Sequence, residues 1–252
     1  MFSRTWILKG GILVEQTQKT RKHAGRYILI IFAALLVFLA VAFFSYVSDY
    51  RHADETTLSL LQSDSIHQEG NLTILTPDAG NDTGRGLIFY PGGKVEDIAY
   101  LPLLEKLRAQ GVTVALVKMP FNLAVFDINA ADKVPAAIPS VSRWYIGGHS
   151  LGGAMASSYI DGKEDRFGGL ILLGAYPVND STIPTLCIYG SEDVMLDKSK
   201  LSGVRNVLEL VGGNHAQFGN YGTQDGDGVA SISREEQQAK AAEAMVAFLT
   251  TD

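Results

Sequence analysis

Trp144-Tyr145-Ile146-Gly147-Gly148-His149-Ser150-Leu151-Gly152-Gly153 is the stretch on which the reading of this chain turns. Three strand-forming residues run into a glycine pair, and a helix-like segment, 151–160, starts directly after the serine. At its centre, Gly148-His149-Ser150-Leu151-Gly152 has the G-x-S-x-G form in the strand-to-helix setting that a nucleophilic serine requires. Such a turn strains the backbone, and only small residues two positions before and after the serine let strand and helix approach. Gly148 and Gly152 meet that need. The competing reading is a glycine-rich turn with an incidental serine. A nucleotide-binding loop fits worse, because neither G-x-G-x-x-G nor Walker spacing occurs here, and no cofactor is called for.

A nucleophilic serine needs a base, and the chain has five histidines: His23, His52, His67, His149 and His215. His149 lies inside the turn, where its side chain should point away from that of Ser150. His215 follows the last strand candidate, in Gly212-Gly213-Asn214-His215, and precedes the final helix, so it is the candidate base. The acid that orients it should end the preceding strand. Asp193 stands there, and Glu192 and Asp197 are its competitors. The resulting chain order, Ser150, Asp193, His215, suits a serine on a strand-to-helix turn. For the developing oxyanion, the N–H of Leu151 pairs with one from Tyr90-Pro91-Gly92-Gly93-Lys94, Gly93 being the first choice and Lys94 the second.

Working outward, apolar runs bounded by Gly, Pro or Asn alternate with helix-like segments, the pattern of an α/β fold with a mostly parallel sheet and helices on both faces. Strands are expected at 87–90, 112–117, 144–146, 170–173, 186–189 and 207–210. One helix is expected over 98–110, with Ile98, Leu101, Leu104 and Leu107 on its buried face. The last helix should be capped by Ser233 with Glu236 and bury Ala242, Met245, Val246 and Leu249. Residues 57–76 should supply one or two antiparallel edge strands.

Taken together, the Gly148–Gly152 turn, the Tyr90–Gly93 turn, the Gly190–Asp193 loop and His215 resemble the α/β-hydrolase superfamily over about residues 57–252. In size the chain is similar to the small dienelactone-hydrolase-like branch, whose nucleophile is cysteine where this chain has Ser150. The resemblance implies the fold and a serine hydrolase acting on a carboxylic ester or thioester. The same residues would serve an acyltransferase, and a non-catalytic surface protein is a third reading. Many relatives insert a helical cap where this chain has only residues 175–184, so an open, shallow site is expected. Phe121, Asn122, Leu123, Gln217 and Phe218 are candidates to line it.

Residues 27–47 hold no charged side chain and are long enough to cross a bilayer at about 1.5 Å per residue. Lys19, Arg21, Lys22 and Arg26 precede this run, and Asp49, Arg51, Asp54 and Glu55 follow it. The positive-inside rule then gives a cytoplasmic tail over 1–26, a transmembrane anchor over 27–47, a linker over 48–56 and an extracytoplasmic domain over 57–252. A cleaved signal peptide and a buried core helix are the alternatives. The net charge of −6 conceals an acidic domain: residues 48–252 carry 15 bases and 26 acids. Nucleic acid is a poor partner for it, and a small, neutral, ester-type substrate a better one. One cysteine, Cys187, excludes an internal disulfide. Asp225-Gly226-Asp227-Gly228 suggests a calcium loop, but the EF-hand register puts Thr223 and Arg234 where carboxylates are required, so no metal is expected.

Overall fold

The computed structural model describes residues 4–17 and 21–251; Lys19 of the basic flank and the terminal Asp252 lie outside them. The chain divides into two units, residues 1–48 and 49–252.

The first unit holds strands β1 (Arg4–Lys9) and β2 (Ile12–Thr17) and helix α1 (Arg21–Ser48). The hairpin has no counterpart among the sequence expectations, which give this region only as a basic tail. Its signal is Gly10-Gly11 between two six-residue runs: both glycines have positive φ, +62° and +81°, and Lys9 pairs with Ile12 across them. A two-residue turn of this kind matches the right-handed twist of the flanking strands. In α1, the stretch Gly25–Ser48 is the one described helix long and apolar enough to cross a membrane. Every side chain described from Tyr27 to Ala42 is exposed.

The second unit opens with helix α2 (Glu55–Leu60), then the antiparallel pair β3 (Ile66–Glu69) and β4 (Leu72–Leu75). There follow β5 (Arg85–Tyr90), α3 (Leu101–Arg108), β6 (Val112–Val117), α4 (Val134–Ala137), β7 (Arg143–His149), α5 (Leu151–Ile160), β8 (Leu170–Leu173), β9 (Thr185–Gly190), β10 (Asn206–Leu210) and α6 (Arg234–Thr250). One eight-stranded sheet has the order β10-β9-β8-β7-β5-β6-β4-β3, parallel except where β4 meets β6 and β3. This is the mostly parallel sheet expected, and each of the six strand candidates is found in it.

Alternation along the strands sends side chains to two cores. Leu87 and Phe89 of β5 join Leu101, Leu104, Leu107, Met245 and Leu249 under α3 and α6. Ile88 and Tyr90 face the opposite way, joining Val134, Ala156, Tyr159 and Ile160 under α4 and α5. α3 begins later than the sequence suggests. Pro102 lacks an N–H and clashes inside a helix, so it sits in the first turn, and residues 97–100 form a separate 3₁₀ turn before it. α6 begins at the expected cap, with the Ser233 hydroxyl accepting the Glu236 N–H at 3.1 Å. Val246 of its expected stripe is only half-buried.

The segment expected as a linker, 48–56, is largely built into the second unit. Arg51 donates its N–H to the Lys94 carbonyl at 2.8 Å and accepts the Glu96 N–H at 2.9 Å. Asp54 caps α2 by accepting the Thr57 N–H, and it takes a side-chain N–H from Asn220 at 3.1 Å. The charged residues that suggested solvent therefore serve as caps and pairing groups.

Candidate active site

Ser150 terminates β7 and precedes α5 with φ 51° and ψ −121°, a conformation that a side-chain-bearing residue rarely adopts. The chain holds it because β7 sits mid-sheet between β5 and β8 and because Gly152 gives α5 room. A Cβ at Gly152 would run into the carbonyl oxygens of Tyr90 and Pro91.

Asp193 and His215 follow β9 and β10, at the same edge of the sheet. His215 Nδ1 lies 2.8 Å from Asp193 Oδ2, and both side chains are almost fully buried. The other carboxylate oxygen, Oδ1, accepts the N–H groups of Met195 at 2.9 Å and Leu196 at 3.0 Å. Of the three carboxylates weighed for this role, Glu192 and Asp197 are exposed; Asp197 instead caps the short turn at Ser199. The loop bearing His215 is tied to α6: buried Gln237 accepts the Asn214 N–H at 2.9 Å and donates to the Asn214 carbonyl at 2.8 Å. Asp227, part of the apparent calcium motif, accepts the Ala216 N–H at 2.8 Å and so braces the same loop. Among the described residues there is no cluster of ligands suited to a metal ion.

The Ser150 hydroxyl makes no hydrogen bond among the described residues, but Ser150 and His215 line one cavity of about 180 Å³. Bonds between nucleophile and base are often long in a free enzyme and tighten only with substrate. Its walls are Leu151, Ala154, Ala175, Tyr176, Val178, Met195 and Leu196. The residues expected to line the site are placed differently. Phe218 is fully buried against His149, and half-buried Gln217 donates to the Ile232 carbonyl. Phe121, Asn122 and Leu123 sit beside the Gly93–Lys94 loop, outside this cavity. The lining residues that sequence reasoning missed follow β8 and Asp193, where the ends of parallel strands next to the serine would have pointed.

On the oxyanion side, a Cβ at Gly93 would come within 3.3 Å of the Leu151 Cβ, so these two backbones run side by side. Among the described residues neither the Gly93 N–H nor the Leu151 N–H has a partner; Leu151 is the first residue of α5, where helical N–H groups are free. Lys94, the second choice for this role, is unsuited to it: its N–H is donated to the Asn122 carbonyl at 2.8 Å.

Behind this loop lies a group of buried polar residues that the sequence did not disclose. Tyr100, with its hydroxyl 2.8 Å from His149 Nδ1, accepts the Gly92 N–H at 3.0 Å. Burial holds the Tyr100 hydroxyl well above its usual pKa, so it keeps its proton. That hydroxyl and His149 Nδ1 share one hydrogen bond, whose direction is set by the histidine tautomer. His149 is held well below the usual histidine pKa, first by burial and then by neighbouring His215, whose ring centroid is 4.5 Å away. A neutral imidazole is thus fixed between the Gly92–Gly93 loop and the candidate base.

The comparisons with known proteins bear on this arrangement. No curated protein matches the chain. Among solved structures, Est1E from Butyrivibrio proteoclasticus is similar at 16% identity and a TM-score of 0.53, over 74% of this chain and 98% of that one. TT1662 from Thermus thermophilus is similar at 12% and 0.52, over 74% and 99%. FphF, a fluorophosphonate-binding serine hydrolase of Staphylococcus aureus, is similar at 13% and 0.50, over 75% and 96%. At these identities the likeness is one of fold. The family model, by contrast, matches on sequence over residues 86–239, a span running from β5 past Ser150, Asp193 and His215 into α6. With that match covering more than half of its length, the chain belongs to the alpha/beta hydrolase family.

Proposed function

We propose that the protein is a serine hydrolase that cleaves a carboxylic ester or thioester through an acyl-enzyme at Ser150. The observation that carries this reading is the buried 2.8 Å bond between Asp193 and His215, made by a histidine that lines the same cavity as a serine at positive φ. Ser150 Oγ attacks the substrate carbonyl while His215 Nε2 takes the hydroxyl proton, and Asp193 stabilises the imidazolium. The oxyanion is met by the N–H groups of Gly93 and Leu151. Collapse breaks the bond to the leaving oxygen or sulfur, which departs with the proton from His215 and leaves the acyl group on Ser150. Water, giving a proton to His215, then attacks the acyl carbonyl; the carboxylic acid leaves and Ser150 regains its proton. No metal or cofactor enters these steps.

The catalytic domain is further read as tethered by α1, with Arg21, Lys22 and Arg26 on the cytoplasmic side and the acidic domain outside. A fluorophosphonate probe tests the nucleophile directly, and FphF, which shares the fold, is named for binding such compounds. The wild-type chain is expected to be labelled and Ser150→Ala not. Undiminished labelling of Ser150→Ala would overturn the assignment.

A further inference from the structure

The two flanks of Ser150 differ in kind. On the side of β8 and β9, the cavity of about 180 Å³ is walled by Ala154, Ala175, Tyr176, Val178, Met195 and Leu196. Its walls are pinned. The Val178 N–H is donated to the buried Ser157 hydroxyl at 3.0 Å, and Met195 and Leu196 donate theirs to Asp193 itself. No Lys, Arg, Asp or Glu is among the described residues that line it. On the side of β6, the loop tied to Lys94 through Asn122 carries Phe121, Val125 and Phe126, all exposed, with the two phenyl rings edge to face at 5.6 Å. One flank is a walled pocket, and the other an exposed apolar lip.

We propose that the pocket receives the acyl group of the substrate and limits it to a short chain or a single ring without charge, while the lip carries an apolar alcohol. This rests on the acyl-enzyme reading above. The acyl group must stay in place through the covalent intermediate, which suits the walled side, whereas the alcohol must depart before water attacks, which suits the open one. At about 180 Å³ the pocket has room for roughly six carbons, on the scale of a cavity of about 150 Å³ that holds benzene. A charged acyl group would find no Lys, Arg, Asp or Glu in the walls to pair with it. Met195 and Val178, at the mouth, set the length limit.

The test uses the full chain in detergent micelles with two series of substrates: p-nitrophenyl esters from acetate to dodecanoate, and butyrate esters of alcohols from ethanol to octanol. Through the first series kcat/KM is expected to rise roughly two- to fourfold per methylene, as buried apolar surface grows, up to about hexanoate. Beyond that it should fall at least tenfold by decanoate. The second series should show no such maximum. Met195→Ala should move the acyl optimum about two carbons longer, and Val178→Ala, a smaller change at an exposed position, should move it the same way. A maximum in the alcohol series with a flat acyl series would overturn the assignment, as would an acyl optimum that neither variant moves. If no ester is turned over while Ser150 still reacts with the fluorophosphonate, the acyl pocket falls and the nucleophile stands. If Ser150 is unreactive as well, the hydrolase reading falls and this proposal with it.

Discussion

His149 illustrates what the sequence withheld at the scale of single residues. Its position inside the turn is plain, and the expectation was only that it would point away from the Ser150 side chain; its contacts with Tyr100 and His215 depend on two loops distant in sequence. No local pattern announces such a meeting. By contrast, Ser150, Asp193 and His215 were legible as candidates because each follows an apolar run that reads as a strand, and the ends of parallel strands lie at one edge of the sheet. The buried state of His149 has a consequence for stability. Its pKa is depressed in the fold, whereas in the unfolded chain it titrates near 6.5. Above that pH neither state holds the extra proton and the full stability is present. Below it the unfolded chain binds a proton that the fold refuses, and stability falls by up to about 1.4 kcal/mol per pH unit. The urea midpoint is therefore expected to drop between pH 7 and pH 5, and His149→Gln should flatten that drop. An unchanged slope in the variant would assign the acid sensitivity to other groups.

At the scale of elements, the central strands were legible and the margins were not. Residues 112–117 and 170–173 coincide with β6 and β8, since buried parallel strands are continuous apolar runs. Residues 49–56 fall in the same unit as the rest of the domain, although a polar, charged stretch reads as solvated chain when its partners lie far along the sequence. Arg51 pairs beside Val95, and Asp54 reaches Asn220 and Arg234. Beginning the chain at Thr57 removes the cap of α2, worth about 1 kcal/mol, and several hydrogen bonds worth about 1 kcal/mol each. It also removes the bridge from Arg51 to Val95, two residues after Gly93. A chain of residues 49–252 is expected to fold and take the fluorophosphonate label. One of residues 57–252 should unfold at clearly lower urea and label much more slowly; equal midpoints would show that residues 49–56 contribute little.

Across the whole molecule, charge and apolar length divide the chain into an N-terminal stretch with six bases and one acid over residues 1–47 and an acidic remainder. Under the proposed topology, protease added to right-side-out vesicles should remove the domain bearing Ser150 while a tag before Arg4 survives. Protection of that domain would reverse the orientation, and release of a soluble domain beginning near Ser48 would mark α1 as a cleaved signal. The N-terminal hairpin escaped the sequence reading because its turn signal is a single glycine pair and its strands form a two-stranded sheet of their own. One further consequence follows from the bare connection between β8 and β9, where residues 174–184 form no helix. With no cap from its own domain, the proposed acyl-enzyme stands open to bulk solvent, so its fate is decided by competition among nucleophiles. Water outnumbers every dissolved acceptor, and the lip of Phe121, Val125 and Phe126 is exposed and apolar. On the proposed reading the uncovered side admits water to the acyl-enzyme, so release of the free acid is its expected fate.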